Sequence, residues 1–242
     1  MRVLLWLVLL GLTAPTGGRR AEGDGCPRTY VVSPAGATLP RLDGAIGEGE
    51  WPADRWESGL EFPWRDEPAP GTSFVILAHG GSLSFAFRVE DEDVVLADGP
   101  AGDESLVARG DRVELFFARD PELDDYYSLE IDPRGRVLDY RARHYREFDF
   151  DWDCPGLEVA AWQRPGGYDV EGRLAPSALE EMGVTLGSAS SILAGVFRGE
   201  FSHGEGGAIH ESWISWVDPG GPKPDFHVPS AFGCLQMSSG AR

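Results

Sequence analysis

From Tyr30 onward the chain runs in short, strand-like apolar segments punctuated by Gly, Pro and Asp, and one of them shows the period-two pattern of a half-buried strand. That one is Ser82 to Glu90 (SLSFAFRVE), with Leu83, Phe85, Phe87 and Val89 on one face. Val113 to Ala118 (VELFFA) and Tyr126 to Ile131 (YYSLEI) flank an Asp- and Pro-rich turn. Val137 to Arg143 follows the Pro133-Arg134-Gly135 turn, so the three predict an antiparallel meander. Tyr30 to Val32, Phe74 to Leu77, Gly156 to Trp162, Tyr168 to Leu174, Ser191 to Gly199 and Glu211 to Val217 supply further strands. One short helix is predicted at Pro176 to Met182, with Ser177 as its cap and Gly183 as its stop. Many short strands with turn signals between them predict an all-β fold, an antiparallel, jelly-roll-like β-sandwich with one short helix. No repeat or internal boundary divides it, so residues 30–238 are read as one domain.

The N-terminus follows a different rule. Arg2 precedes the apolar run Val3 to Leu12 and then small residues, which reads as a signal peptide over residues 1–21 followed by a flexible segment, 22–29. The apolar run is too short to span a bilayer comfortably; an uncleaved anchor is the alternative. The expected location is secreted or periplasmic. Export permits disulfides. Cys26 and Cys234 lie near the two ends of the mature chain, and domain termini often lie close, so these two are the expected pair and Cys154 is left over. No Cys/His cluster has zinc spacing, and the lack of CxxCH excludes covalent haem.

Charge narrows the partners. Asp plus Glu number 40 against 21 Lys plus Arg, a net charge of −19, and Lys223 is the only lysine. Such a chain repels phosphate backbones and anionic lipid, so no nucleic acid and no membrane partner is expected once the signal is removed. Neutral sugars and divalent cations remain compatible, as does a charge that serves solubility alone. Glu90, Asp91, Glu92, Asp93 and Asp98 crowd one turn, and Asp120, Glu122, Asp124 and Asp125 another. Neither has EF-hand spacing, and solvated acidic turns are the plain alternative to a calcium site.

Several motifs resemble the family 9 carbohydrate-binding modules. They are Leu42-Asp43-Gly44 followed by Glu48 and Trp51, the strand Ser84 to Asp93, Gly110 to Phe117 (GDRVELFF), Tyr126 to Asp132, Tyr168 to Leu179 and Ser212 to Gly233, in order over nearly the whole mature chain. The resemblance implies a β-sandwich that binds glycans without cleaving them, supports carbohydrate catabolism and often carries structural calcium. It also implies sugar bound at chain ends between two tryptophans. One of these falls near Ala108 in this sequence, and the other falls on Phe226, six residues before Phe232-Gly233. Asp111 and Glu114 match polar family positions, while a family arginine on the next strand is replaced near Glu130.

A sugar site needs an aromatic face for the C–H surface of the ring and polar groups for its hydroxyls. Trp64, Trp152, Trp162, Trp213, Trp216 and Phe226 are the aromatic candidates. Trp213 and Trp216 are three apart, so on a strand they point to opposite faces. Trp51 and Trp162 are expected in the core. Phe226 lies in a Pro-rich loop, and the expected ligand-binding residues are Phe226, Asp225, Asp111 and Glu114, joined by Arg109 and Tyr127. The charged, aromatic stretch Arg141 to Asp153 is a second candidate groove, or a solvated loop whose arginines pair with its own aspartates. A neutral polysaccharide or oligosaccharide is the expected partner. Three alternatives stand beside it: a structural or adhesive surface protein, a noncovalent haem sandwich using His or Met ligands, and a glycoside hydrolase. No GxSxG motif or distinctive carboxylate pair supports catalysis, and no cofactor is certain.

Overall fold

The computed structural model describes residues 26–36, 38–187 and 190–239; the expected signal peptide, 1–21, lies outside them. Twelve strands run in chain order: β1 (Thr29–Pro34), β2 (Thr72–His79), β3 (Ser82–Glu90), β4 (Arg112–Ala118), β5 (Tyr126–Ile131), β6 (Val137–Arg143), β7 (Glu147–Asp149), β8 (Leu157–Arg164), β9 (Gly167–Leu174), β10 (Ser191–His203), β11 (Ile209–Ser215) and β12 (Gly233–Met237). They form two sheets. The first has the order β7-β6-β5-β4-β10-β12-β1, with β11 also on β10; the second continues as β2-β3-β9-β8. All pairings are antiparallel except those of β1, which runs parallel to β12 and, by its last two residues, parallel to β2. β1 therefore joins the two sheets at one edge of the sandwich.

Between the sheets lies the main core, which the period-two pattern places correctly. Phe74 and Ile76 of β2, Phe85, Phe87 and Val89 of β3, Leu115 and Phe117 of β4, and Tyr168 and Val170 of β9 pack there with Trp216. The alternate residues of β4, Phe116 and Ala118, point outward, and build a second apolar layer with Tyr126, Tyr140, Phe197, Phe226 and Phe232. That outer layer is covered by the loop between β11 and β12, and the site described below lies at its margin.

The predicted strands all form, within the usual slippage of their ends. β12 and the short β7 escape the sequence reading: GCLQM shows no clear alternation, and three residues give too little pattern. The helix α1 (Pro176–Glu181) starts two residues earlier than a Ser177 cap requires. Ala175 is the N-cap without a side-chain bond, Pro176 occupies the first turn, and the Ser177 hydroxyl turns to the Pro155 carbonyl. Cys26 is bonded to Cys234 with Cα atoms 5.7 Å apart, and Cys154 is free and buried. Arg28 pairs with Glu57 and donates to the Trp216 carbonyl, so residues 26–29 are fixed to the domain rather than loose. No helix of the described residues is long and apolar enough to cross a membrane.

Candidate functional site

The site starts from one rung of the first sheet. Arg112 on β4, Gly199 on β10 and Trp213 on β11 lie side by side in register. A Cβ on Gly199 would fall 2.7 Å from the Arg112 Nη1, so glycine leaves the space in which the guanidinium lies flat. The indole of Trp213 sits over that guanidinium at 5.3 Å and the ring of Phe201 at 5.8 Å, a cation–π stack in a largely desolvated setting.

One rung along, Glu114 of β4 and Glu130 of β5 face each other directly. Opposed like charges repel, and Arg112 offsets this. Its Nε donates to Glu130 Oε2 at 2.6 Å and lies 3.0 Å from Glu114 Oε1, while Tyr140 donates its hydroxyl to Glu130 Oε1 at 2.8 Å. All three charged side chains are buried. Burial first, then the Glu130 charge, push the Glu114 carboxyl up to about 8 against the pull of Arg112. Glu114 therefore keeps its proton at neutral pH and can donate a hydrogen bond.

Two loops close over this floor. In the β11–β12 loop, Asp225 accepts from Tyr145 Oη at 2.7 Å, from Arg146 Nη2 at 2.8 Å and from the His227 backbone at 3.0 Å. Burial opposes its ionisation, but these donors and the arginine charge hold its carboxyl below the usual range. Arg146, in the β6–β7 turn, takes a left-handed backbone with φ 60°. His227 is half-buried against Phe116, Tyr126 and Phe148, and its Nδ1 lies 3.0 Å from the Tyr126 hydroxyl. Burial, then the nearby Arg146, lower its pKa to about 4, so it is a neutral ring at pH 7.

The result is a cleft of about 260 Å³ with Arg112, Glu114 and Glu130 below, Trp213 and Phe226 at the side, and Arg146, Asp225 and His227 at the rim. A second depression, of about 300 Å³, adjoins it across Trp213 and Pro224 and carries Trp64 and Lys223.

Three expected site residues thus meet in one place: Glu114, Asp225 and Phe226. Phe226 is buried and stacked on Phe197 at 4.1 Å, with Trp213 edge-on at 5.8 Å, so one of its faces is already covered. The half-buried Trp213 is the more available ring. The other three expected residues do not reach the cleft. Asp111 is fully buried behind it, accepting the Val95 and Phe201 backbone N–H groups at 2.5 and 2.8 Å. Tyr127 lies on the opposite face of β5, where it stacks on Trp152 and donates to the Glu181 carbonyl. Arg109 is exposed on a turn before β4.

Sequence reasoning passed over Arg112 as a site residue, though it lies within the GDRVELFF motif. The period-two rule places it on the face of Glu114. It did single out the stretch Arg141 to Asp153, and the structure splits that stretch. Tyr145 and Arg146 clasp the cleft, while Arg141 pairs with Asp125 at 2.5 Å. Trp51 is buried as expected, with its Nε1 on Glu171, but Trp162 is 60% exposed: β8 is an edge strand and Trp162 points away from the core.

Calcium finds little room. Asp91, Asp111 and Glu200 bring an oxygen each within 4.8 Å of one another. The fully buried Arg198 lies among them, 3.1 Å from Asp91 Oδ2, paired with Glu200 and donating to Thr72 and the Glu90 carbonyl. The guanidinium already supplies the positive charge, so these residues do not fit an added cation. In the acidic turns Asp93 bonds His203, and Asp125 pairs with Arg119 and Arg141. Glu104, Asp139 and Asp153 form a second triad, in which Asp139 accepts the Cys154 N–H. Among the described residues no buried unpartnered side chain is shown aimed into it.

A model of the family described as carbohydrate family 9 binding domain-like matches residues 42–239. The chain belongs to this family. A search of curated proteins finds no match. Three solved structures share its fold. A candidate carbohydrate-binding protein from Bacteroides uniformis is 18% identical, with a TM-score of 0.69 over 87% of this chain and 99% of its own. A family 9 carbohydrate-binding module from Caldicellulosiruptor kristjanssonii with glucose bound is 14% identical, with a TM-score of 0.58 over 88% and 96%. The module with cellotriose bound is 15% identical, with a TM-score of 0.57 over 88% and 94%. At these identities the likeness shows the sandwich, and the side chains of the cleft are read from this family 9 domain alone.

Proposed function

We propose that this family 9 domain binds a neutral oligosaccharide or polysaccharide, without cleaving it, in the cleft beneath Trp213. The observation that carries the reading is the stack of Trp213 on Arg112 above the buried pair Glu114 and Glu130. It offers an apolar ring face beside a donor at Glu114 and acceptors at Glu130 and Asp225, the combination that pyranose C–H faces and hydroxyls require. The related module solved with glucose and cellotriose supports the same ligand class.

Arg112 with Glu130, and Arg146 with Asp225, are paired before any ligand arrives, so binding needs little rearrangement and the field offered to the ligand is weak. Together with the net charge of −19 this favours a neutral sugar over an acidic one. The N-terminal apolar run supports a secreted or periplasmic setting, in which the domain would hold glycans during carbohydrate catabolism. The match to a carbohydrate-binding family supports binding without hydrolysis, and the Arg112–Glu130 pair at 2.6 Å ties up one of the two floor carboxyl groups.

A glycan array of the mature chain tests this. Dose-dependent signal on neutral glycans, with no sugar released from them, is the expected result; a blank array, or signal confined to acidic glycans, would overturn it.

A further inference from the structure

The outer face of the second sheet carries a row of side chains that the cleft does not use. Leu157, Val159 and Ala161 of β8 pack towards the core, so Trp162 points outward, and it is 60% exposed. Register places Trp162 opposite Asp169 of β9, and Asp169 opposite Arg88 of β3. Asp169 holds both neighbouring arginines, Arg164 at 3.1 Å and Arg88 at 3.9 Å. On its far side Arg88 lies over the ring of Trp56 at 5.3 Å and donates to the Ile46 carbonyl. The row therefore reads indole, carboxylate, guanidinium, indole, and at ordinary strand spacing Trp162 stands roughly 9–10 Å from Arg88. Beside Arg88 the face dips into a cavity of about 490 Å³ that Glu48, Trp51 and Trp56 help to line.

We propose that this row is a second saccharide-binding surface, facing away from the cleft. The chemistry is again a free ring face next to hydrogen-bonding groups held in place by each other. Asp169, itself buried, answers both arginines, so the row presents directional guanidinium donors but only a weak net field, which suits a hydroxyl-rich neutral chain. The charged pair interrupts the apolar surface between the two indoles, which disfavours a protein partner that needs a continuous apolar patch. The core of the sandwich separates the two sites, so one domain can hold two glycan strands, and avidity follows on a dense polysaccharide.

The test is an NMR titration of the indole N–H signals of the mature protein, with Trp162→Phe and Trp213→Phe used for assignment. The probes are cello-, xylo-, manno- and malto-oligosaccharides. The expected result is saturable movement of the Trp162 and Trp56 signals, with an affinity different from that of Trp213. Trp162→Phe, which melts like the parent, loses the Trp56 response and lowers the stoichiometry from two to one. If Trp213 moves while Trp162 and Trp56 stay fixed with every probe, the second surface is refuted and the cleft stands. If none of the three moves, both readings fall. Shifts of Trp162 that follow protein concentration and not sugar would instead mark a contact between copies of this chain, and would also refute the proposal.

Discussion

Glu114 and Glu130 face one another across β4 and β5, and the Arg112 Nε lies 3.0 Å from one carboxylate and 2.6 Å from the other. The buried guanidinium and its two carboxyl groups are tolerable only together. Removing the cation leaves two carboxyls facing each other without solvent. Arg112→Met is therefore expected to lose about 3–5 kcal/mol of stability. Arg112→Met/Glu130→Gln should recover part of this, because the remaining buried group is then neutral. Denaturant unfolding of both variants measures it; a loss within error of zero for Arg112→Met would show that the triad is solvated.

Glu114 also gives the fold a pH dependence. Its carboxyl holds a proton up to about 8 in the folded state, against an ordinary value of 4.5. The folded state thus binds more protons than the unfolded state between these values, and the Glu114 contribution to stability falls as pH rises from 4.5 towards 8. His227 acts in the other direction. With its pKa lowered to about 4 in the fold from 6.5, it removes stability as pH drops through that window. Melting temperatures from pH 4 to 9 should rise and then decline, and Glu114→Gln should flatten the decline. A decline unchanged in Glu114→Gln would assign it elsewhere, to Asp111, raised by burial to about 8, or to Glu200, raised by burial to about 7.

Trp213 and Phe226 separate binding from folding. Trp213 is half-buried at the wall, whereas Phe226 is 5% exposed and stacked on Phe197. Trp213→Ala should weaken sugar binding by about tenfold or more, in line with the ~0.5–1.5 kcal/mol of an aromatic contact beyond its buried area. Its melting temperature should fall less than that of Phe226→Ala, because Trp213 is only half-buried. Phe226→Ala should instead cost about 3–5 kcal/mol of stability. The reverse pattern would make Phe226 the sugar platform.

Much of this architecture was legible in the sequence, and the reasons for the rest are physical. Alternation identified β3, while β4, β5 and β9, buried on both faces, were read from short apolar runs bounded by turn signals. The parallel pairing of β1 with β12 escaped it, since period two carries no information about which strands meet. Glu114, Asp225 and Phe226 converge because two loops fold over one sheet face. Nothing local to DFHVP reveals that Asp225 will be bound by Tyr145 and Arg146 some eighty residues earlier. Trp162 looked like core because large aromatics usually are, and only the edge position of β8 leaves it outside.

The Cys26–Cys234 bond ties the start of β1 to β12 and spans 208 residues of sequence. Reduction should destabilise the domain by about 2–5 kcal/mol. Thiol labelling of the oxidised native protein should find no reactive group, because Cys154 is buried and burial raises its thiol to about 12. Equal melting temperatures with and without reductant would show that the hydrophobic core alone carries the fold.

The most direct test of the cleft is calorimetric titration of the parent protein and Trp213→Ala with the neutral oligosaccharide that gives the strongest signal on the glycan array. Saturable binding to the parent, weakened tenfold or more in a Trp213→Ala protein that is fully folded at the assay temperature, is the predicted result. Equal affinity in the two proteins, or no neutral glycan that binds the parent, would contradict it.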